Sequence, residues 1–190
     1  AVIGDTVRAK IMKAKKNYGY GRLEEILTSS PDRVEPECQF ARQCGGCQLQ
    51  ALSYEKQLEF KTSKVRGHLE RIGGFTDLPM EEILGMEQPF HYRNKAQFPV
   101  GRSKDGRIIT GFYAGRTHSI IENRDCALGV PQNKEVLDRV IAHMEKFHIQ
   151  PYDEITGRGL VRHVLIRYGF FTDEMMVCLI INGEKLPGEE

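Results

Sequence analysis

Four cysteines are spaced in a way that suits a metal centre. Three of them, Cys38, Cys44 and Cys47, fall within ten residues, and Cys126 follows much later in a polar turn. Thiolates hold either one zinc ion in a tetrahedron or an iron–sulfur cluster with one cysteine per iron. Zinc sites usually use two paired cysteine knuckles, whereas three crowded thiols and a distant fourth suit the larger cluster. The spacing therefore favours a cluster, and zinc or unligated thiols remain alternatives.

The residues around these cysteines add three expectations. The glycines between Cys44 and Cys47 are expected to let the backbone wrap closely and direct its N–H groups at sulfur. Cys178 lies in an apolar run, so we interpret it as a small core residue. The cysteine count is odd and the first residues lack the features of a secretory signal. We therefore expect reduced thiols, a cytoplasmic protein and no membrane partner.

Positive charge is concentrated in two segments, although the net charge of the chain is only +1. The first segment combines cations with two tyrosines, and the second surrounds a predicted strand at Lys95. Cations neutralise phosphates and exposed aromatic rings stack on bases, so these segments predict RNA binding. The candidate RNA-binding residues are Lys13, Lys15, Lys16, Tyr18, Tyr20, Arg22, Arg93, Lys95 and Gln97. The alternatives are tyrosines packed inside a small barrel and, for the second segment, a salt-bridged sheet face.

The sequence pattern predicts an α+β protein in four segments. Residues 1–35 read as short strands of a small β-barrel, and residues 36–50 form the cysteine loop. Residues 51–87 hold a helix and an acidic connection. Residues 88–190 form a central domain of antiparallel strands with a further helix.

Two helices and a hairpin carry most of this prediction. The first helix is expected over residues 53–72, capped by Ser53 and ended by Gly73-Gly74. The second runs from about 131 to 147, and its apolar stripe is interpreted as core. That stripe consists of Val136, Leu137, Val140, Ile141, Met144 and Phe147. Strands are predicted within residues 91–121, and a final hairpin pairs residues 160–168 with 175–181.

Several motifs together resemble a known family. They are Gly4-Asp5-x-Val7, Lys15-Lys16-x-Tyr18, Pro36-x-Cys38-x5-Cys44-Gly45-Gly46-Cys47-Gln48-Leu49-Gln50, Tyr54-x2-Gln57-Leu58-x2-Lys61, Tyr92-Arg93-Asn94-Lys95-Ala96-Gln97-Phe98 and Asp125-Cys126. In this order and spacing they resemble the iron–sulfur-containing RNA uracil-5 methyltransferases of the 23S rRNA type. The resemblance extends over essentially the whole chain.

The resemblance implies that RNA binding, cluster binding and methyl transfer belong to different domains. An N-terminal, OB-like TRAM barrel grips RNA, and a central domain carries a [4Fe–4S] cluster. A further domain binds S-adenosylmethionine and methylates C5 of a uracil in 23S rRNA. By this resemblance Cys38, Cys44, Cys47 and Cys126 are the cluster ligands, which raises the cluster well above zinc.

The chain departs from the family in the catalytic part. It has no Gly-rich strand–helix loop for a nucleotide cofactor, and no cysteine remains for nucleophilic work. It begins with alanine and stops just after a predicted strand. We therefore expect a piece that binds RNA and cluster but contains no catalytic or S-adenosylmethionine-binding residue.

Two other functions compete with this one. The chain could be a stand-alone RNA-binding module with a structural metal. A TRAM-bearing radical methylthio enzyme is disfavoured, because that class uses C-x3-C-x2-C with an open iron. The spacing here is C-x5-C-x2-C, and a fourth cysteine is present.

Overall fold

A computed structural model describes residues 1–188 and divides the chain into two compact units. The first unit consists of Ala1–Glu37 and Gln48–Met86. The second consists of Cys38–Cys47 and Glu87–Glu190, of which the last two residues lie outside the described part. The cysteine loop thus belongs to the second unit, while the chain on both sides of it belongs to the first. The helix predicted within residues 51–87 belongs to the same unit as the N-terminal strands.

The first unit contains a two-stranded antiparallel sheet and one helix. Strand β1 (Thr6–Ala14) pairs with β2 (Gly19–Thr28), and helix α1 spans Tyr54–Arg71. The helix ends as predicted, since Gly74 adopts a positive φ of 72° and its N–H donates to Glu70 O at 3.2 Å. Ser53 occupies the N-cap position, but its side chain makes no capping hydrogen bond.

The small barrel predicted for residues 1–35 is not closed in this structure. In residues 1–188 that region forms only the two strands β1 and β2. Two strands cannot close a barrel, because closure requires each strand to have a hydrogen-bonded neighbour on both sides. Apolar side chains that would fill such a barrel are therefore exposed; they are Ile11, Met12, Leu23 and Leu27.

A buried carboxylate fastens the start of the hairpin to the segment that follows it. The Asp5 side chain is fully excluded from solvent and accepts N–H groups from Val2 at 2.7 Å and Ser30 at 2.9 Å. Arg33 donates from Nε at 3.1 Å and also from Nη2. The Arg33 guanidinium, followed by the Ser30 N–H, holds the pKa of the Asp5 carboxyl far below its usual range.

We predict that, because of Asp5, the stability of this unit decreases at acidic pH. A carboxyl whose pKa is depressed by folding stabilises the protein above its unfolded pKa of about 4. That stabilisation is lost progressively as the pH falls below this value. The variant Asp5→Asn should melt several degrees lower at pH 7 and lose most of this acid dependence. Thermal unfolding followed by circular dichroism between pH 7 and pH 3 measures both effects. Asp77→Asn, at an exposed position of the same unit, should keep the acid dependence of the parent chain.

The second unit is a five-stranded antiparallel sheet with one helix against it. The strand order is β5-β4-β3-β6-β7. The strands are β3 (Lys95–Arg102), β4 (Ile108–Tyr113), β5 (Ile120–Glu122), β6 (Val161–Gly169) and β7 (Glu174–Ile181), and helix α2 spans Gln132–Lys146. Alternation along β3 and β6 points Phe98, Val164 and Ile166 to one face, where they are buried with Leu137 and Met144 of α2.

The helices satisfy their sequence patterns to different degrees. Most of the predicted α2 stripe forms core, since Leu137, Ile141 and Met144 are buried and Val136 and Val140 pack against them, but Phe147 is exposed. Helix α1 has no buried residue, and its apolar residues Val65 and Ile72 are exposed. Neither helix within residues 1–188 combines the length and the apolar character that a membrane span requires.

Candidate functional site

The cysteine loop is a tight, self-bonded piece of backbone. The N–H groups of Gln43 and Cys44 both donate to Phe40 O, at 2.9 and 2.8 Å, and Ala41 N donates to Cys38 O at 3.0 Å. These consecutive turns pack ten residues into a short coil that carries three cysteines. Cys38, Cys44 and Cys47 are all half-buried.

The loop pairs with the sheet of its own unit just beyond β4. Cys44 forms an antiparallel bridge with Ala114. On either side of that bridge, Gly45 N donates to Tyr113 O and Gly115 N donates to Gln43 O, both at 3.1 Å. The loop therefore continues the hydrogen bonding of β4 as a short additional strand.

The two glycines of the loop differ from the expectation that both direct N–H groups at sulfur. Gly46 N does lie 3.4 Å from Cys44 Sγ and donates to it. Gly45 N is instead committed to the Tyr113 carbonyl. Its role is close approach, because a Cβ at Gly45 would lie 3.2 Å from Gly115 Cα and 3.3 Å from Tyr113 O. The sequence motif contains Gly45 but gives no sign of Gly115, its distant partner.

We predict that Gly45→Ala destabilises the second unit. The added methyl group meets backbone atoms on both sides, so the loop must shift away from the sheet at a cost of about 1 kcal/mol. The matched control is Gly46→Ala, whose Cβ would meet only Cys44 Sγ at 3.4 Å. Urea unfolding of the two variants measures the difference. Equal free energies of unfolding for both variants would show that the close contact at Gly45 is unimportant.

Cys126 lies in a turn that directly follows β5. Asn123 is buried, its N–H donates to Thr110 O, and its Oδ1 accepts the N–H of Asp125 at 3.1 Å. Gly129 N donates to Cys126 O at 2.9 Å, which closes the turn. Arg124 bonds Asp138 of α2 at 2.7 Å and ties the turn to the helix. These contacts hold the backbone of the turn on both sides of Cys126.

The late cysteine and the early ones share one electrostatic neighbourhood. Burial raises the pKa of the Cys38 thiol, and the nearby Cys126 and Cys44 raise it further. A thiol pKa responds to other thiolates only when they lie close by. The four predicted ligands all belong to the second unit.

The arrangement is not that of a single-ion site. Within residues 1–188, no group of three or more His, Cys, Asp or Glu residues is close enough to hold one metal ion. A single zinc draws its sulfurs to about 2.3 Å from one centre, whereas a cluster separates them by its own size. Four thiolates form the donor set of either kind of centre.

Cys178 is not a core residue, and that interpretation is wrong. It lies on β7, the edge strand of the sheet, and its side chain is exposed. It pairs with Leu165, which alternation places on the sheet face opposite to the buried Val164 and Ile166. The apolar run around Cys178 hid this alternation.

The first basic segment forms the exposed end of the β1–β2 hairpin. The register places Lys13 opposite Tyr20 and Lys10 opposite Arg22, so these residues share one face. Tyr18 and Tyr20 are both about half exposed and meet edge to face, with ring centroids 5.7 Å apart. Lys15 Nζ lies 5.7 Å from the centroid of the Tyr18 ring. The tyrosines are therefore on the surface and not inside a barrel, and Lys16 is exposed beside them.

The second basic segment is only partly on a strand. Lys95 and Gln97 are exposed on β3, where they pair with Arg167 and Leu165 of β6. Arg93 precedes the strand, is half-buried, and forms a parallel bridge with Gly129. The bridge to Gly129 places the backbone of Arg93 next to the turn that contains Cys126. Only Lys95 and Gln97 share the exposed face of β3.

Comparison with known proteins points to one kind of enzyme. No model of a known protein family matches the chain. Its relatives are named RNA methyltransferases. The chain is 43% identical over 190 residues to an uncharacterised RNA methyltransferase of Clostridium tetani and 46% identical over 187 residues to one of Halalkalibacterium halodurans. These matches cover 100% and 98% of the chain but 41% of each relative.

A solved structure is similar over nearly the same extent. It is that of Pyrococcus abyssi tRNA (uracil-54, C5)-methyltransferase in complex with S-adenosyl-L-homocysteine. The TM-score is 0.74 at 27% sequence identity, covering 97% of this chain and 41% of that one. The chain therefore spans about two fifths of the proteins it matches.

Proposed function

We propose that this chain is the RNA-binding and iron–sulfur part of an S-adenosylmethionine-dependent RNA uracil-5 methyltransferase. The observation that carries the proposal is the likeness of almost the whole chain to the solved uracil-C5 enzyme. That enzyme is bound to S-adenosyl-L-homocysteine, the product that S-adenosylmethionine leaves after methyl transfer. We assign methyl transfer and S-adenosylmethionine binding to the larger part of the relatives, which this chain does not cover.

The RNA-binding role follows from what methylation of a uracil base demands. C5 of a stacked, paired uracil is out of reach, so the base must lie in a loop or be flipped out. An enzyme that holds such a strand needs cations for phosphates and aromatic rings for bases. The hairpin face with Lys13, Tyr20 and Arg22 offers both, with Tyr18 beside it.

The cluster is proposed to be [4Fe–4S], held by Cys38, Cys44, Cys47 and Cys126. Its support is the resemblance of the cysteine motif, together with the placement of all four cysteines in the second unit and the effect of Cys126 and Cys44 on the pKa of the Cys38 thiol. When bound, it would supply a cross-link between two distant stretches of chain, since four protein ligands leave no iron open. The backbone of the chain holds the segments with the proposed ligands in position, through the Cys44–Ala114 bridge and the turn after β5.

The substrate is proposed to be 23S rRNA, and tRNA is the second candidate. The cysteine motif resembles that of rRNA enzymes, whereas the solved neighbour acts on tRNA. Competition binding separates the two, because the preferred RNA displaces a labelled probe at lower concentration. A chain that binds neither RNA above non-specific affinity would remove the RNA-binding role.

Two measurements test the remaining parts of the proposal. Anaerobically purified protein should show a broad brown absorbance band near roughly 400 nm and about four irons per chain. Colourless protein with one zinc would contradict the cluster. The chain alone, given S-adenosylmethionine and rRNA, should produce no methylated uracil. Product formation would overturn the assignment of catalysis to the part outside this chain.

A further inference from the structure

The turn between β6 and β7 presents two phenylalanines to solvent. The Phe171 side chain is fully exposed and Phe170 is about half exposed. Two adjacent exposed phenylalanines keep a large contiguous apolar area in water, and contiguous area of this kind marks contact sites. The turn is therefore a candidate binding surface in its own right.

This turn is held in a defined shape. Asp173 adopts a positive φ of 55°, its N–H donates to Gly169 O at 2.8 Å, and its carboxylate accepts a hydrogen bond from Tyr168 Oη. The Tyr168 and Phe170 rings meet edge to face, with centroids 5.4 Å apart. The Tyr168 ring thus packs against the Phe170 ring. The aromatic tip sits on a fixed turn, so little order has to be gained when it binds.

Two cations lie on the strands of the same sheet, and the depression they line extends to Gly169 and Thr172 of the turn. Lys95 of β3 and Arg167 of β6 are directly paired across the strands, and both are exposed. A surface depression runs from this pair to the turn. It is lined by Asn94, Lys95, Arg167, Tyr168, Glu174 and Met176, among others. Two cations thus face one acid, Glu174, while the Asp173 carboxylate already accepts the Tyr168 hydroxyl.

We propose that this tip and the Lys95–Arg167 pair form a second RNA-contact surface that takes an unpaired nucleotide. Phe171 stacks on the exposed face of a base, and the two cations meet the neighbouring phosphates. A base inside a duplex has both faces covered, so the chemistry selects single-stranded RNA. The inference rests on the proposed RNA-related function and extends it from Lys95, already a candidate contact, to the β6–β7 turn of the second unit.

The absence of tryptophan from the sequence allows a direct test. In Phe171→Trp the introduced indole is the sole tryptophan and reports stacking by loss of its fluorescence. An unstructured oligoribonucleotide should quench it strongly, whereas the same sequence within a full duplex should not. The matched control is Ile155→Trp, at a position of the same unit that is 95% exposed. Its emission should stay unchanged with either RNA.

Fluorescence anisotropy of the labelled oligoribonucleotide supplies the second readout. Phe171→Ala should weaken binding on the order of tenfold, and Phe171→Tyr should restore it, because tyrosine keeps the stacking face. Binding by anisotropy without quenching of the indole in Phe171→Trp would overturn the proposed tip and leave the RNA-binding role intact. No binding of any RNA would overturn both. A Phe171→Ala variant that changes only self-association would also overturn it, by making the tip a contact between copies.

Discussion

Replacing Cys126 by serine is expected to abolish the cluster and destabilise the second unit. Serine is a poor ligand for iron, so the three thiols of the loop would hold an incomplete and labile centre. The chain between Cys47 and Cys126 forms a closed loop of roughly 80 residues when the cluster is bound, and cross-links of that span stabilise by about 4 kcal/mol. The variant should lose its brown colour, its iron and several degrees of melting temperature.

The matched control for this variant is Cys178→Ser. Cys178 is exposed on the edge strand and is not among the proposed ligands. It should keep full iron content and melt like the parent chain. Retention of four irons by Cys126→Ser would remove Cys126 from the ligand set. Loss of iron without loss of stability would instead refute the cross-linking role.

Removing the three lysines at the end of the β1–β2 hairpin should give the largest loss of RNA affinity. Each lysine that neutralises a phosphate releases a counterion, which contributes about 0.7 to the slope of log K against log salt for a single strand. The variant Lys13→Ala/Lys15→Ala/Lys16→Ala should therefore reduce that slope by about 2. At low salt its binding to an oligoribonucleotide should weaken on the order of a hundredfold. Titrations at several salt concentrations give both quantities.

A control with the same loss of charge separates the hairpin from general electrostatics. Lys61, Lys64 and Arg66 are exposed on helix α1 of the same unit. Replacing all three by alanine removes the same charge but none of the hairpin cations. This variant should keep the affinity and most of the salt slope. Equal losses in the two triple variants would mean that net charge, rather than the hairpin, binds the RNA.

The elements that depend on local periodicity were predictable from the sequence. Helix α2 lies at Gln132–Lys146 against the predicted 131–147, because its apolar residues repeat at helical spacing. The final hairpin also agrees closely, with β6 at Val161–Gly169 and β7 at Glu174–Ile181. In α2 and β6 the pattern that forms the element also buries it, so local and tertiary preferences agree, whereas β7 contains no buried residue.

Features that depend on distant partners were harder to predict. The short basic strands suggested a barrel, but alternation does not reveal how many strands are available to close one. Cys178 was misjudged because an edge strand exposes residues that look like core in sequence. Gly45 was expected to serve sulfur, and its contact with Gly115 depends on a pairing about seventy residues away. The order of strands in a sheet decides each of these points, and sequence spacing does not encode it.

For the candidate site, spacing indicated a metal centre, and the proposed ligand set is what the family resemblance implies. Three cysteines within ten residues marked the loop by themselves. That Cys126 influences Cys38 could only emerge once β5 placed its turn beside the loop. The exposure of Phe171 could not be predicted, because two phenylalanines in a turn give the same sequence pattern whether they are buried or exposed.

The pairing of the cysteine loop with Ala114 has a consequence for the newborn protein. Synthesis proceeds from the N-terminus, so the loop leaves the ribosome before the strand that receives it has been made. At about 5 to 20 residues per second, the stretch from Cys47 to Cys126 takes about 4 to 16 s to translate. During most of that interval the three thiols of the loop lack both the fourth predicted ligand and the backbone segment that pairs with the loop. Under the proposed cluster assignment, iron would therefore be inserted after translation of the sheet, and oxidants met earlier would react with three unprotected thiols.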